Sequence, residues 1–144
     1  MTDYEEIAIL VAKFDEAVNR RRIELFDTLW SEDASWEIRN PMPMRVETCA
    51  KIIETWQQML GGTKWLFRGS FLGTVTINGD TASGRWPCVE TGEFADGTPY
   101  DNRAYYEDTY VRTDAGWRFR SRSYHYLWLS RSPLVGDVIG DTVE

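Results

Sequence analysis

Three turn signals spaced through residues 65 to 128 constrain this chain more than anything else in it. Asn78-Gly79, Asp96-Gly97 and Asp114-Ala115-Gly116 each fall between runs rich in β-branched and aromatic residues. Asn-Gly and Asp-Gly suit two-residue hairpins, because both central positions need φ > 0, which Gly accepts freely and Asn or Asp tolerate. The stretch from Trp65 to Trp128 is therefore predicted as four long strands in an antiparallel meander. Such a sheet must bury one face, and the runs over residues 3 to 30 and 46 to 60 carry the helical periodicity to cover it. The fold class is α+β.

The covering elements follow from spacing. Ile7, Leu10, Val11, Phe14, Ala17 and Val18 recur as on one helix face over residues 3 to 20, with Thr2 positioned as a cap ahead of Glu5 and Glu6. A second helix is predicted from Ile23 to Trp30, presenting Phe26, Leu29 and Trp30 inward. Ala34, Trp36 and Ile38 alternate with polar residues, the pattern of a half-buried strand, which Asn40-Pro41-Met42-Pro43 ends. Thr48 to Leu60 is helical again and stops at Gly61-Gly62. At 144 residues and 42% hydrophobic, one domain over 1–144 is expected, its core at about 5–130 and a tail at 131–144.

Charge and cysteine usage narrow the partners. Sixteen Lys and Arg stand against 23 Asp and Glu, a net charge of −7, so no nucleic acid is expected. Cys49 and Cys88 are far apart and lack metal-ligand spacing, so no metal is expected. No apolar run suits a signal peptide or a membrane span, so a reducing cytoplasm and no membrane contact are expected. Seven Trp and seven Tyr in so small a chain point either to a ligand cavity or to a dense core or dimer face.

Strand parity selects candidate site residues, since successive side chains point to opposite faces. Trp65, Phe67, Phe71, Val75 and Ile77 share one face of the first strand, and Arg68, Ser70, Thr74 and Thr76 the other. Ala82, Gly84, Trp86, Cys88 and Glu90 fall together on the second. Glu90 is then either a carboxylate among apolar neighbours, needing a partner, or solvated past the strand's end. On the third strand Tyr106, Asp108 and Tyr110 share a face, and Asp108 is either held by phenol donors or is a surface carboxylate. On the fourth, Trp117 and Phe119 are predicted inward and Arg118, Arg120 and Arg122 outward. His125, the only histidine, points to the core if parity holds; a bulge near Ser121 to Ser123 turns Tyr124 and Tyr126 inward instead.

The order of elements and the stretches LWSEDASWEI, TVTINGDTASGRW and YYEDTYVRTDAGWRF resemble the SnoaL-like branch of the nuclear transport factor 2-like superfamily, over roughly residues 5 to 126. The resemblance implies a cone-shaped curved sheet, antiparallel or mixed, wrapped by three N-terminal helices around a deep apolar cavity, and a homodimer. Its members include polyketide cyclases, scytalone and bile-acid dehydratases, ketosteroid isomerase, limonene epoxide hydrolase and proteins without chemistry.

The functional positions of those members fall here on altered residues. The tyrosine and aspartate that dehydratase-like members carry on the first helix match Phe14 and Asn19, and their histidine matches Arg68, so the His-Asp dyad is absent. The acidic site of the bile-acid dehydratase matches Glu90, and its last-strand arginine matches Tyr126. The steroid-contacting aspartate of ketosteroid isomerase matches Asp108, while its general base matches Ile38. Arg68 reaches the cavity in the family register only through a bulge around Gly69, and there needs Glu90 or Asp108 as counter-charge.

These readings converge on a cofactor-independent enzyme that acts by acid-base chemistry on a hydrophobic, oxygenated small molecule such as a polyketide, steroid or terpenoid. Dehydration, cyclisation and isomerisation are the reactions of that kind. Asp108, Glu90, Arg68 and Tyr126 are the candidate catalytic residues, and Phe14, Asn19, Trp36, Trp86, Tyr106, Tyr110 and His125 the candidate substrate contacts. The alternative is a binding or scaffold protein using the same cavity. An epoxide hydrolase fits less well, because its Arg-x-Asp pair would need arginine where Tyr106 stands.

Overall fold

A computed structural model of the protein describes residues 1–140; positions 141–144 of the expected tail lie outside the described residues. In chain order the elements are α1 (Asp3–Arg20), α2 (Ile23–Phe26), β1 (Trp30–Ile38), β2 (Met44–Glu47), α3 (Cys49–Gly61), β3 (Thr63–Ser70), β4 (Thr74–Asn78), β5 (Thr81–Phe94), β6 (Pro99–Thr113) and β7 (Gly116–Ser130). The strands form one mixed, unclosed sheet in the order β2-β1-β7-β6-β5-β3, with β4 also paired to β5. β1 runs parallel to β7 and every other pairing is antiparallel. Helices and sheet together make the α+β cone.

The three hairpin turns fall where the glycines place them, with Gly79, Gly97 and Gly116 all at positive φ, but Asn78 and Asp96 are not. Asn78 still belongs to β4 and four residues separate β5 from β6, so neither turn is the expected two-residue kind with both central positions at φ > 0. The first predicted strand is two strands. It breaks at Phe71-Leu72-Gly73, where the backbone passes so close to β5 that a Cβ on Gly73 would lie 2.1 Å from the Arg85 carbonyl oxygen. Two further corrections concern the N-terminal half. The second helix is a single turn, Ile23–Phe26, because Trp30 already opens β1 beside Phe119. Residues 44 to 47, left outside any strand by the prolines before them, form β2 along the edge of β1.

α1 is closed at its start by Thr2, whose hydroxyl accepts from the Glu5 amide at 3.1 Å. At its end Arg21 adopts a left-handed conformation and donates to the carbonyls of Leu60 and Thr63, both at 2.7 Å, which ties α1 to the α3–β3 turn. The α1 face predicted from spacing is the buried one, and Phe14 packs edge-on against Trp30, Tyr106 and Phe119. Phe26 stacks on Trp56 of α3 with centroids 4.0 Å apart. This aromatic layer belongs to the buried core between helices and sheet.

Candidate active site

Three directly opposed residues on adjacent strands organise the site. Arg68 of β3 faces Glu90 of β5, and Glu90 faces Asn102 of β6. All three line one cavity of about 470 Å³, whose walls come from Phe14, Trp36, Trp56, Leu66, Tyr106 and Tyr124. Met42 and Met59, both partly exposed, also line it and form part of its solvent-facing wall. The cavity is mostly apolar; its polar groups are this row, the phenols beside it, and Thr55, Gln58 and Thr63.

Arg68 enters without a bulge at Gly69. Its neighbour in parity is Leu66, which is buried, while Phe67 and Phe71 on the opposite face are 57% and 60% exposed. The expected sides of β3 are thus exchanged, since an arginine is 2% exposed and the aromatics lie outside. Paired carboxylates make this tolerable. The guanidinium donates from Nε to Glu90 Oε1 at 3.1 Å and from Nη1 to Asp15 of α1. Its main chain is bracketed by Asn19, which accepts from the Arg68 amide at 2.8 Å and donates to the Arg68 carbonyl at 2.9 Å. Asn19 therefore holds Arg68 from behind and is not a lining residue.

Asp108 is not part of this row. It lies buried behind the cavity wall, where Arg122 donates from Nε and Nη2 to its two carboxylate oxygens at 2.8 and 3.1 Å. Tyr110 donates to Asp108 at 2.7 Å and accepts from Trp86 at 2.9 Å. Trp86, Asp108 and Tyr110 thus form a core network away from the cavity lining. A cluster of Arg68, Glu90 and Asp108 does not form; Asp15 takes the place expected for Asp108.

The inward course of Arg122 has a local cause. Thr109 pairs with Ser121 and Tyr110 with Phe119, so Arg120 is an extra residue in β7 and inverts the parity beyond it. Arg122 and Tyr124 become buried, Tyr126 joins the cavity lining, and His125 turns to the outer face. There His125 stacks on Tyr105 with centroids 4.8 Å apart and rings 3° from parallel, which removes it from any cavity ligand. Sequence reasoning missed Asp15, Asn102 and Arg122. The one available signal was that a buried Arg68 needs more than one counter-charge.

Tyr106 joins the two arginine systems. Arg122 lies 3.8 Å and Arg68 5.4 Å from its ring centroid, and Trp36 Nε1 donates to its hydroxyl at 3.1 Å. Burial pushes the Tyr106 phenol up to about 12, against the pull of both guanidiniums. Burial and then the Glu90 charge push Tyr126 up to about 12. Tyr100 moves further in the same direction from burial and from Glu90 beside its hydroxyl. The site thus offers one carboxylate, Glu90, within a ring of neutral phenols.

Among the described residues no group of three or more His, Cys, Asp or Glu side chains is placed to hold a metal ion, and no helix is long and apolar enough to cross a membrane. No curated protein matches the chain. Similar solved structures include a proposed aromatic ring hydroxylase from Novosphingobium aromaticivorans, at 24% identity and TM-score 0.83 over 89% of this chain and 92% of that one. The hexachlorocyclohexane dehydrochlorinase LinA-type3 from Novosphingobium barchaimii matches at 15% identity and TM-score 0.81, over 95% and 93%. A proposed scytalone dehydratase from N. aromaticivorans matches at 13% identity and TM-score 0.79, over 96% and 100%. The profile of the SnoaL-like domain matches residues 1–123, and the chain belongs to that family, within the nuclear transport factor 2-like superfamily.

Proposed function

We propose that the protein is an enzyme that moves a proton on a neutral, hydrophobic, oxygenated small molecule, using its own side chains. The observation that carries this reading is the placement of Glu90 on the floor of an apolar cavity, held by a buried arginine. A carboxylate fixed among apolar walls is positioned to take a proton from carbon beside a carbonyl. The electron pair then moves onto the carbonyl oxygen, where the Tyr126 hydroxyl donates a hydrogen bond and the Arg68 charge stabilises it. Return of the proton to another carbon completes an isomerisation. Expulsion of a neighbouring hydroxyl, which leaves as water with the proton, completes a dehydration; attack of the carbanion on a second carbonyl of the same molecule, whose π pair moves to its oxygen and takes the proton back from Glu90, completes a cyclisation. The names dehydrochlorinase and dehydratase, carried by two of the similar structures, agree with elimination chemistry in this fold.

One observation favours binding without turnover. The positions that carry tyrosine, aspartate and histidine in dehydratase-like members hold Phe14, Asn19 and Arg68, none of which titrates near neutrality. Exchange of α-protons in deuterium oxide separates the two readings, with a panel of aryl and alicyclic ketones as probes and mass spectrometry as the readout. The protein should accelerate exchange of at least one ketone that binds. Glu90→Gln should slow it by about 10²- to 10⁴-fold while the ketone still binds. Ketones that occupy the cavity without any accelerated exchange would establish the binding reading.

A further inference from the structure

Two of the three side chains in the floor row carry an unmet polar atom. Arg68 Nη2, a donor, and Asn102 Oδ1, an acceptor, are buried without a hydrogen-bond partner in the protein. The residues are 2% and 3% exposed, and both line the cavity. Asn102 Nδ2 donates to the Tyr124 hydroxyl at 3.4 Å, which leaves Oδ1 as the free side of the amide. Buried polar atoms left unpaired are costly, so a ligand that supplies both partners recovers that cost on binding.

The row also has an order. Glu90 stands between Arg68 and Asn102, and adjacent strands lie about 4.8 Å apart. A ligand meeting all three presents an acceptor, then a carbon for Glu90, then a donor. Charge sets a second condition. Arg68 already faces Asp15 and Glu90, one formal positive charge against two negative, so a further anion is disfavoured at this floor.

We propose that the cavity floor selects a neutral 1,3-hydroxyketone, the carbonyl accepting from Arg68 Nη2 and the hydroxyl donating to Asn102 Oδ1. The apolar remainder of the ligand lies between Trp36, Trp56 and the lining methionines Met42 and Met59. Asn102 is then a specificity-determining residue. The proposal rests on the Glu90 reading for the use made of the central carbon, while the recognition itself is a property of binding alone.

The test is a matched series titrated by calorimetry: 4-hydroxy-4-phenylbutan-2-one, which carries both groups, 4-phenylbutan-2-one, 1-phenylbutan-1-ol and the anion 4-phenylbutanoate. The hydroxyketone should bind about tenfold tighter than either monofunctional analogue, and the carboxylate more weakly than the ketone. Asn102→Leu should erase the advantage of the hydroxyketone over the ketone and leave ketone affinity within about twofold. If that variant fails to fold, the native series decides alone. A hydroxyketone no tighter than the ketone, or a carboxylate that binds tightest, overturns the proposal. Ranking intact with no Glu90-dependent exchange would overturn only the enzyme reading; exchange intact without the ranking would overturn only this one.

Discussion

Arg122 and Asp108 form a two-pronged ion pair with no measurable exposure of either side chain, crossing from β7 to β6 behind the cavity wall. The Arg122 guanidinium simultaneously lies over Phe14, Tyr106 and Phe119, so the pair fixes the aromatic layer on which the cavity rests. Removing one partner leaves the other charge buried and unpaired. Asp108→Ala or Arg122→Met alone should cost about 3 to 5 kcal/mol in urea unfolding. Asp108→Ala with Arg122→Met should cost clearly less than the sum of the two, because no lone charge remains. Additive losses would show that the two charges do not depend on one another.

Asn19 gives a sharper contrast between two nearly isosteric side chains. Its amide both accepts from and donates to the main chain of Arg68, as a neighbouring strand would. Asn19→Asp keeps the acceptor but sets a carboxylate oxygen against the Arg68 carbonyl. We expect a loss of about 1 to 3 kcal/mol in stability and no gain of dehydration activity, since the position matched to the family histidine remains Arg68. Turnover of a scytalone-like substrate by this single variant would refute that expectation.

What could be read in advance depended on whether the determining contacts were local. The positions of the hairpins, marked by their glycines, and the buried face of α1, marked by spacing, both stand in the structure. Parity along β5 places Glu90 with Trp86 and Cys88 because that strand keeps its register against β6 throughout. Parity along β7 fails beyond Arg120, because an extra residue within a run of arginines leaves no mark in the pattern. His125 and Arg122 exchange sides as a result. Arg68 shows the other limit. Its polarity argues for the outer face, and only Asp15, 53 positions away on α1, together with Glu90, makes its burial possible.

The start of α1 gives a pH dependence with a defined sign. Asp3 accepts from Arg112 at 2.8 and 3.1 Å and from Trp117 Nε1 at 3.1 Å. The Arg112 hydrogen bonds, then that of Trp117, hold its carboxyl below the usual value of 3.8. A depressed folded pKa stabilises above the unfolded pKa and loses that contribution as pH falls through the folded value. The stability gap between the parent and Asp3→Asn should therefore be constant from about pH 7 to 5 and close below about pH 4. A gap unchanged down to pH 2 would mean that the clamp does not depend on the Asp3 charge.

The last prediction concerns the three charges at the floor, one guanidinium between two carboxylates. Arg68→Met keeps much of the length of the side chain and removes the cation between them, so Asp15 and Glu90 are left facing one another. Their side chains are 13% and 23% exposed, so water relieves part of the penalty, and the loss should fall at or just below the lower end of the range for broken buried pairs, about 2 to 3 kcal/mol. Neutralising the carboxylates should reverse the sign of the effect. In the Arg68→Met background, Asp15→Asn and Glu90→Gln should each restore stability, whereas in the parent each removes a partner of Arg68 and destabilises. Groups that share one network give such interaction energies, on the order of 0.5 to 3 kcal/mol. Denaturant unfolding of every combination of the three substitutions measures each coupling without a substrate. If the carboxylate changes cost the same with Arg68 present as with it absent, the three residues act independently, and Glu90 owes its position in the cavity to the strand register alone.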